Sequence, residues 1–448
     1  MLQTLFKLLQ GDIKLSEFIE IAYAAASNRL CLFTGTGFSK AITANNAPSW
    51  QDLLEKLCEL LDDSKDIIDA LFPKNKANPL SLEESAQVIS IELEKIDKKI
   101  NNEIANIIKK LKLEGDNLEI ADFFRNRSCK IITTNYDKLT EELIGKENCH
   151  SISRGLPIPR LSKKVKIYHV HGSIDSPDDM VITSDDYFNF INSESYFSRK
   201  LSTILHENKI VILGYSLSDT NLKAIINDYK KFSKNHVIGS NIFFVSRSSV
   251  NQYVKDYYWD CYRIRVIDNL KIEDFFGKLN KLIPSVEKNL QNSIYKITKA
   301  IDENFKYSDS DLENENSFFE IISSIEAIGL SINDDDVVKV LGNIINTKTK
   351  LTEESQAWGQ YGHLARWLIH LGTIIELKGT SIQNIYLDSV LRSMDTMGKE
   401  GHLGVSWEAY KHWDLEWVKI IASNKLLIRN KIQENLKDST YAMEIVMR

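Results

Sequence analysis

Short apolar runs, rich in β-branched residues, recur along the first 290 residues, each followed by a turn and a stretch of helical spacing. They are Leu30–Phe33, Lys130–Thr133, Lys166–Val170, Ile210–Leu213, Asn241–Val245 and Arg263–Ile267. Near-continuous apolar strands alternating with helices predict a parallel sheet covered on both faces. Such a sheet gathers ligands beyond the carboxyl ends of its strands, so chemistry is expected in the residues that follow each run. Residues 51–125 are almost purely helical in pattern. They separate the first run from the second and are too long for a simple crossover, which predicts an inserted helical module. The last proline is Pro284. Beyond it the spacing of Phe318, Ile321, Ile322, Ile325 and Ile328 is helical. The expected division is an α/β domain over 1–284, with its insertion at about 51–125, and an all-α C-terminal domain over 285–448. The acidic stretch Ser308–Asn316 reads as a solvated linker or loop.

Composition narrows the class. The 448 residues predict roughly three domains, or two large ones. With 43% hydrophobic and 26% charged residues the chain can bury a sizeable core and is not disordered. No apolar run approaches the ~20 residues of a membrane span, and the acidic N-terminus without a small-residue cleavage site is not read as a secretory signal. The five cysteines (Cys31, Cys58, Cys129, Cys149, Cys261) form no CxxC pair, so neither a zinc knuckle nor a disulfide framework is expected. A reduced, cytoplasmic compartment is the natural expectation. From residue 291 onward there are 17 basic and 23 acidic residues, so the whole net charge of −6 falls there and the first 290 residues are neutral. Neither part has the basic excess of a nucleic-acid binder.

The strand-end residues carry the chemistry. After the first run comes Thr34-Gly35-Thr36-Gly37-Phe38-Ser39-Lys40. Alternate glycines allow a tight turn and close approach of a ligand, with amides free for phosphate oxygens; a plain strand-to-helix turn fits equally. Ser39 either caps the following turn or contacts phosphate. After the second run, Thr133-Thr134-Asn135-Tyr136-Asp137 offers more polar groups than a helix cap needs. Tyr168-His169-Val170-His171-Gly172 closes the third. His169 and His171 alternate and are expected to share a face, but no third ligand accompanies them, so a metal pair is discounted. His171, beside a glycine at the strand end, is the general-base candidate. Leu213-Gly214-Tyr215-Ser216-Leu217-Ser218-Asp219 closes the fourth run.

This order of motifs, over roughly residues 25–270, resembles the sirtuin family. In that family GAGxS binds the pyrophosphate, T-x-N-x-D holds the nicotinamide ribose, a histidine before glycine is the catalytic base and G-(T/Y)-S-L binds ribose. Gly35, Gly37 and Ser39 match the first motif, with Thr36 in place of its alanine. Asn135 and Asp137 match the second, with Thr134 beside them a further candidate for holding the cofactor; His171 is the matching histidine, and Gly214 and Ser216, with Asp219 nearby, match the last. The wording TTNYD, HVHGS and GYSLSD is most similar to the sirtuin-like domains of bacterial antiviral defence systems. The resemblance implies a Rossmann-like parallel sheet that binds NAD. The four cysteines of the deacetylase zinc module are missing, since no cysteine lies between His171 and Gly214. The expected activity is therefore hydrolysis of NAD, as substrate, to nicotinamide and ADP-ribose without a metal, serving abortive infection against phage.

On the resemblance, Asn135 orients the ribose hydroxyls and attacking water, His171 acts as base, and Asp137 supports developing positive charge. The alternatives are a deacetylase or ADP-ribosyltransferase, disfavoured by the missing module, and a non-catalytic NAD or ADP-ribose sensor, which needs no base. Regulation by assembly is expected. Five of the seven tryptophans lie beyond Pro284, as core anchors with some expected in excess at the surface. That region is expected to build a homo-oligomer or to dock a protein such as a HerA-type ATPase or a short Argonaute, with no direct contact to nucleic acid or membrane.

Overall fold

The central β-branched runs form the sheet they predict. The protein is described here from a computed structural model, covering residues 15–153, 163–192, 196–216, 242–331, 334–354, 357–395, 397–399, 402–403 and 407–448. The helix α1 (Leu15–Ala26) leads into β1 (Leu30–Thr34), followed by β2 (Cys129–Thr133), β3 (Cys149–Ser153), β4 (Val165–His169), β5 (Lys209–Leu213), β6 (Ile242–Val245) and β7 (Ile264–Ile267). All seven run parallel in the order β3-β4-β2-β1-β5-β6-β7. The chain builds leftward from β1 to β2 and rightward from β1 to β5, so the switch point lies at β1. β1 and β5 are buried at every position, as strands covered on both faces must be. Among the described residues β3 stands at the sheet edge beside β4; its Cys-His-Ser-Ile-Ser sequence lacks the apolar run, which is why the sequence pattern passes over it.

Between β1 and β2 stand α2 (Thr36–Ile42), α3 (Trp50–Cys58), α4 (Ser64–Leu71), α5 (Leu82–Glu94), α6 (Ile100–Ile108) and α7 (Leu118–Asn126). Ser49 and Ser81 start α3 and α5 with capping boxes, each paired with an acid three residues on. Leu53, Leu57, Ile89, Leu93, Ile104 and Ile108 close their own apolar cluster, to which Tyr136 belongs. Further along come α8 (Leu139–Ile144), α9 (Ser184–Asn192), α10 (Tyr196–Glu207) and α11 (Gln252–Tyr262).

Pro284 does not interrupt the backbone. It lies within α12 (Ile272–Asp302), on an exposed face where water can take the hydrogen bond its missing N–H leaves open. Helix α12 packs on α1, α7 and α14 (Ser317–Ala327), so one apolar core runs from the sheet into the C-terminal helices. A buried charge cluster joins the same parts. Glu20 on α1 receives a bidentate pair from Arg265 of β7 and a 2.8 Å bond from Lys209 of β5; Lys209 also meets Glu326 of α14 at 2.6 Å.

One expectation for this region holds in part and one is corrected. Ser308–Asn316 is exposed over much of its length, yet it is not a free linker. Ser308 caps the short helix α13 (Asp309–Leu312), Leu312 is fully buried, and Glu315 pairs with Arg366 while its carbonyl accepts the Trp367 indole N–H at 2.7 Å. Nor is there a surplus of surface tryptophans among the described side chains: Trp367, Trp413 and Trp417 are buried, and Trp407 alone is exposed. No helix among the described residues is long and apolar enough to cross a membrane.

Candidate active site

The carboxyl ends of β1, β2 and β5 converge at the switch point. The peptide Thr133–Asn135 leaves β2 under tight restraint. Thr133 Oγ1 donates to the Thr34 carbonyl (3.0 Å) and accepts from the Asn135 amide (3.1 Å). Asn135 Nδ2 then donates to Ser39 Oγ (2.8 Å), and Ser39 donates to Asp137 Oδ2 (2.7 Å). Asp137 Oδ1 accepts the Leu139 amide (3.1 Å), so this carboxyl both helps to start α8 and closes the side-chain relay. Burial pushes the Asp137 carboxyl above its ordinary range, while the Ser39 and Leu139 hydrogen bonds pull it back. Thr134 bonds Tyr215 across β2 and β5 (2.6 Å).

The glycines serve close approach rather than open amides. The Gly35 amide donates to the Leu213 carbonyl (3.0 Å) and the Gly37 amide to the Gly214 carbonyl (2.8 Å). These two amides are occupied by the protein itself, which corrects the expectation that they stand free for phosphate. A Cβ on Gly214, where φ is +72°, would lie 2.1 Å from the Phe38 nitrogen; one on Gly35 would strike the Tyr215 ring at 2.8 Å.

A cavity of about 400 Å³ opens against this rim. Thr36, Ser39, Thr134, Asn135, Asp137 and Ser216 line its polar side. Its other wall comes from the insertion, chiefly Trp50, Leu53, Leu82, Ile108 and Leu111, none of which a strand-end reading marks out. Their signal in the sequence is the amphipathic helical spacing of 51–125. Gly35, Gly37 and Gly214 hold the rim together from behind. Asp219 lies outside the described residues.

His169 and His171 part company. β4 ends at His169, so the two do not share a strand face. Thr133 pairs with His169 in register, which puts Asn135 and His171 each two residues beyond neighbouring strand ends. The His171 imidazole, 3% exposed, is boxed by Tyr187 and Phe190 of α9 at 5.2 Å each, with the Tyr187 hydroxyl 3.5 Å from Nδ1. It does not line the cavity. Gly172 follows at φ +82°, where a Cβ would meet the Asp179 carbonyl at 2.7 Å. Among the described residues, no group of three or more His, Cys, Asp or Glu is arranged to hold a metal ion.

A parallel sheet with polar strand ends at its switch point defines an α/β ligand-binding domain. Residues 130–267, from β2 to the end of β7, match the SIR2-like domain family. Defense-associated sirtuin 2 of Bacillus subtilis is 24% identical over 48% of this chain and 20% of its own length. The NAD(+) hydrolase ThsA of Bacillus cereus is 25% identical over 39% of this chain and 36% of its own, and that of Enterococcus faecium 26% over 48% and 42%. The chain thus spans less than half the length of these curated relatives.

Proposed function

We propose that this protein hydrolyses NAD to nicotinamide and ADP-ribose as a defence effector against phage. The observation that carries the reading is the Asn135–Ser39–Asp137 relay, which sets an amide, a hydroxyl and a carboxyl on one cavity wall at the switch point. Relatives named as a defense-associated sirtuin and as NAD(+) hydrolases support it. Cleavage of the nicotinamide–ribose bond builds oxocarbenium character at the anomeric carbon. With Nδ2 engaged by Ser39, Asn135 offers Oδ1 to a ribose hydroxyl or to the attacking water. Asp137, on the same cavity wall, would stabilise the developing positive charge. Nicotinamide departs with the bonding electron pair, water supplies the new C–O bond, and His171 takes the proton.

In the arrangement described, His171 lies under Tyr187 and Phe190, so turnover requires α9 to shift. That fits a cytoplasmic enzyme held quiet until infection, whose release would drain NAD and abort phage growth. The acidic C-terminal helices are the proposed assembly or partner-docking surface. Chromatography of NAD incubated with the full chain tests the activity. Equimolar nicotinamide and ADP-ribose are expected, and Asn135→Ala is expected to abolish both; an undiminished Asn135→Ala enzyme overturns the assignment.

A further inference from the structure

A buried charge pair lies behind Asn135. His169 is enclosed at the end of β4, with Nδ1 3.0 Å from the Asn135 carbonyl oxygen and Nε2 2.7 Å from Glu141 Oε1 on α8. The same Glu141 oxygen lies 3.3 Å from the Lys138 ammonium, which favours the carboxylate. Lys138 in turn reaches Asp175 at 2.8 Å and Ser151 at 2.5 Å, and Asp137 completes the local charges. A peptide carbonyl and a carboxylate both accept hydrogen bonds and neither donates. The peptide oxygen can only accept, so Nδ1 donates to it; with Glu141 ionised beside Lys138, Nε2 donates as well, and a doubly donating ring is the arrangement that satisfies both contacts. Burial would raise the Glu141 pKa, but the charge and hydrogen bond of His169 and the nearby Lys138 bring it down to about 2.

The consequence falls on Asn135. Its amide is tied to Thr133 Oγ1 and its carbonyl to His169, so the backbone on either side of this residue is pinned by side chains. With that backbone fixed, Nδ2 donates to Ser39 Oγ at 2.8 Å. We propose that Glu141 and His169 form a carboxylate–imidazolium positioning pair that holds Asn135 in its reactive orientation. The pair sits behind the cavity wall rather than in it. Its catalytic consequence rests on the NAD-hydrolase reading, whereas its protonation state does not.

The test uses the full chain labelled with ¹⁵N at histidine, the His169 signal being assigned by its loss in His169→Gln. Both ring nitrogens of His169 are expected to resonate as protonated at neutral pH. In Glu141→Gln the ring is expected to become neutral yet keep its Nδ1 hydrogen. In parallel, His169→Gln is expected to lower kcat at least about tenfold while raising KM for NAD less. Glu141→Gln, which leaves the Nδ1 contact to Asn135, is expected to retain several-fold more activity than His169→Gln. The double variant is expected to be no worse than His169→Gln alone, as for residues acting as one unit. Thermal melting checks that each variant is folded at the assay temperature. A wild-type His169 lacking a hydrogen on either ring nitrogen overturns the proposal, as does a folded His169→Gln with wild-type kcat. Wild-type protein that releases no nicotinamide, but shows the doubly protonated ring, sinks the hydrolase reading and leaves the positioning pair standing.

Discussion

The Gly37 amide donates to the Gly214 carbonyl at 2.8 Å, which locks the loop after β1 to the loop after β5 backbone against backbone. No side chain fits between them, since a Cβ on Gly37 would lie 2.8 Å from the Gly214 Cα. Gly214→Ala is the harsher substitution, because it combines a positive φ with a 2.1 Å clash. It is expected to destabilise the protein on the order of 2–4 kcal/mol and to open the rim that carries Ser39. Chemical denaturation of the variant beside the wild type measures this; an unchanged midpoint is the contrary result.

Glu20 faces two buried cations, so its removal takes a carboxylate from both. Burial opposes its charge, but Arg265 and Lys209 outweigh that and hold its carboxyl well below the usual carboxylate range. Glu326 is left to meet Lys209 alone. Glu20→Ala is expected to cost on the order of 3–5 kcal/mol, the usual penalty for breaking a buried pair. The loss should appear as a lower melting temperature of the full chain, because the pair ties α1 to β5, β7 and α14. A surface-like shift below about 1 kcal/mol would contradict this.

Much of this fold was legible because the physics that builds it is local. β1, β2, β4, β5, β6 and β7 are recognisable as apolar runs, being covered on both faces or nearly so. β3 is not, because an edge strand tolerates His150 and Ser151. The strand-end rule found Ser39, Thr134, Asn135, Asp137 and Ser216 on one cavity wall. It did not find Glu141, whose role depends on a helix turning it towards His169 across strands far apart in sequence. Nor does it reveal that Leu213 and Gly214 take up the Gly35 and Gly37 amides, which only the folded chain shows. Composition likewise does not show that Pro284 sits on the exposed face of a continuous helix, or that Leu312 anchors the acidic stretch that begins at Ser308.

The buried Glu320 sets a pH dependence of stability. Burial pushes its carboxyl up to about 7, only partly offset by Lys296. Its folded pKa lies above the unfolded value, so its stabilising contribution is complete below about 4.5 and is lost as pH rises through about 7. Glu320→Gln is therefore expected to stabilise the protein by about 2–3 kcal/mol at pH 8, converting the shift at ~1.4 kcal/mol per unit with a discount for its partial exposure. At pH 4 the variant should match the wild type. Denaturation at the two pH values decides it, and equal effects at both would remove Glu320 as the cause.

The enclosure of His171 leads to the most direct test of how the site is kept quiet. Tyr187 and Phe190 both pack edge-to-face with His171 at 5.2 Å, and both come from α9, so displacing that helix would take these two rings off the imidazole. The Tyr187 hydroxyl, at 3.5 Å from Nδ1, sits at the outer limit of a hydrogen bond and contributes little. Tyr187→Phe is accordingly expected to change nicotinamide release by less than about threefold. Phe190 is half-buried, so its removal should cost about 1–2 kcal/mol of stability and leave the fold intact. If the aromatic box restrains His171, Phe190→Ala should raise basal release several-fold, and combining it with His171→Ala should abolish the gain. A fall in release by folded Phe190→Ala would mean instead that the rings hold His171 in its working orientation. The sign of that single rate change separates a cover from a support.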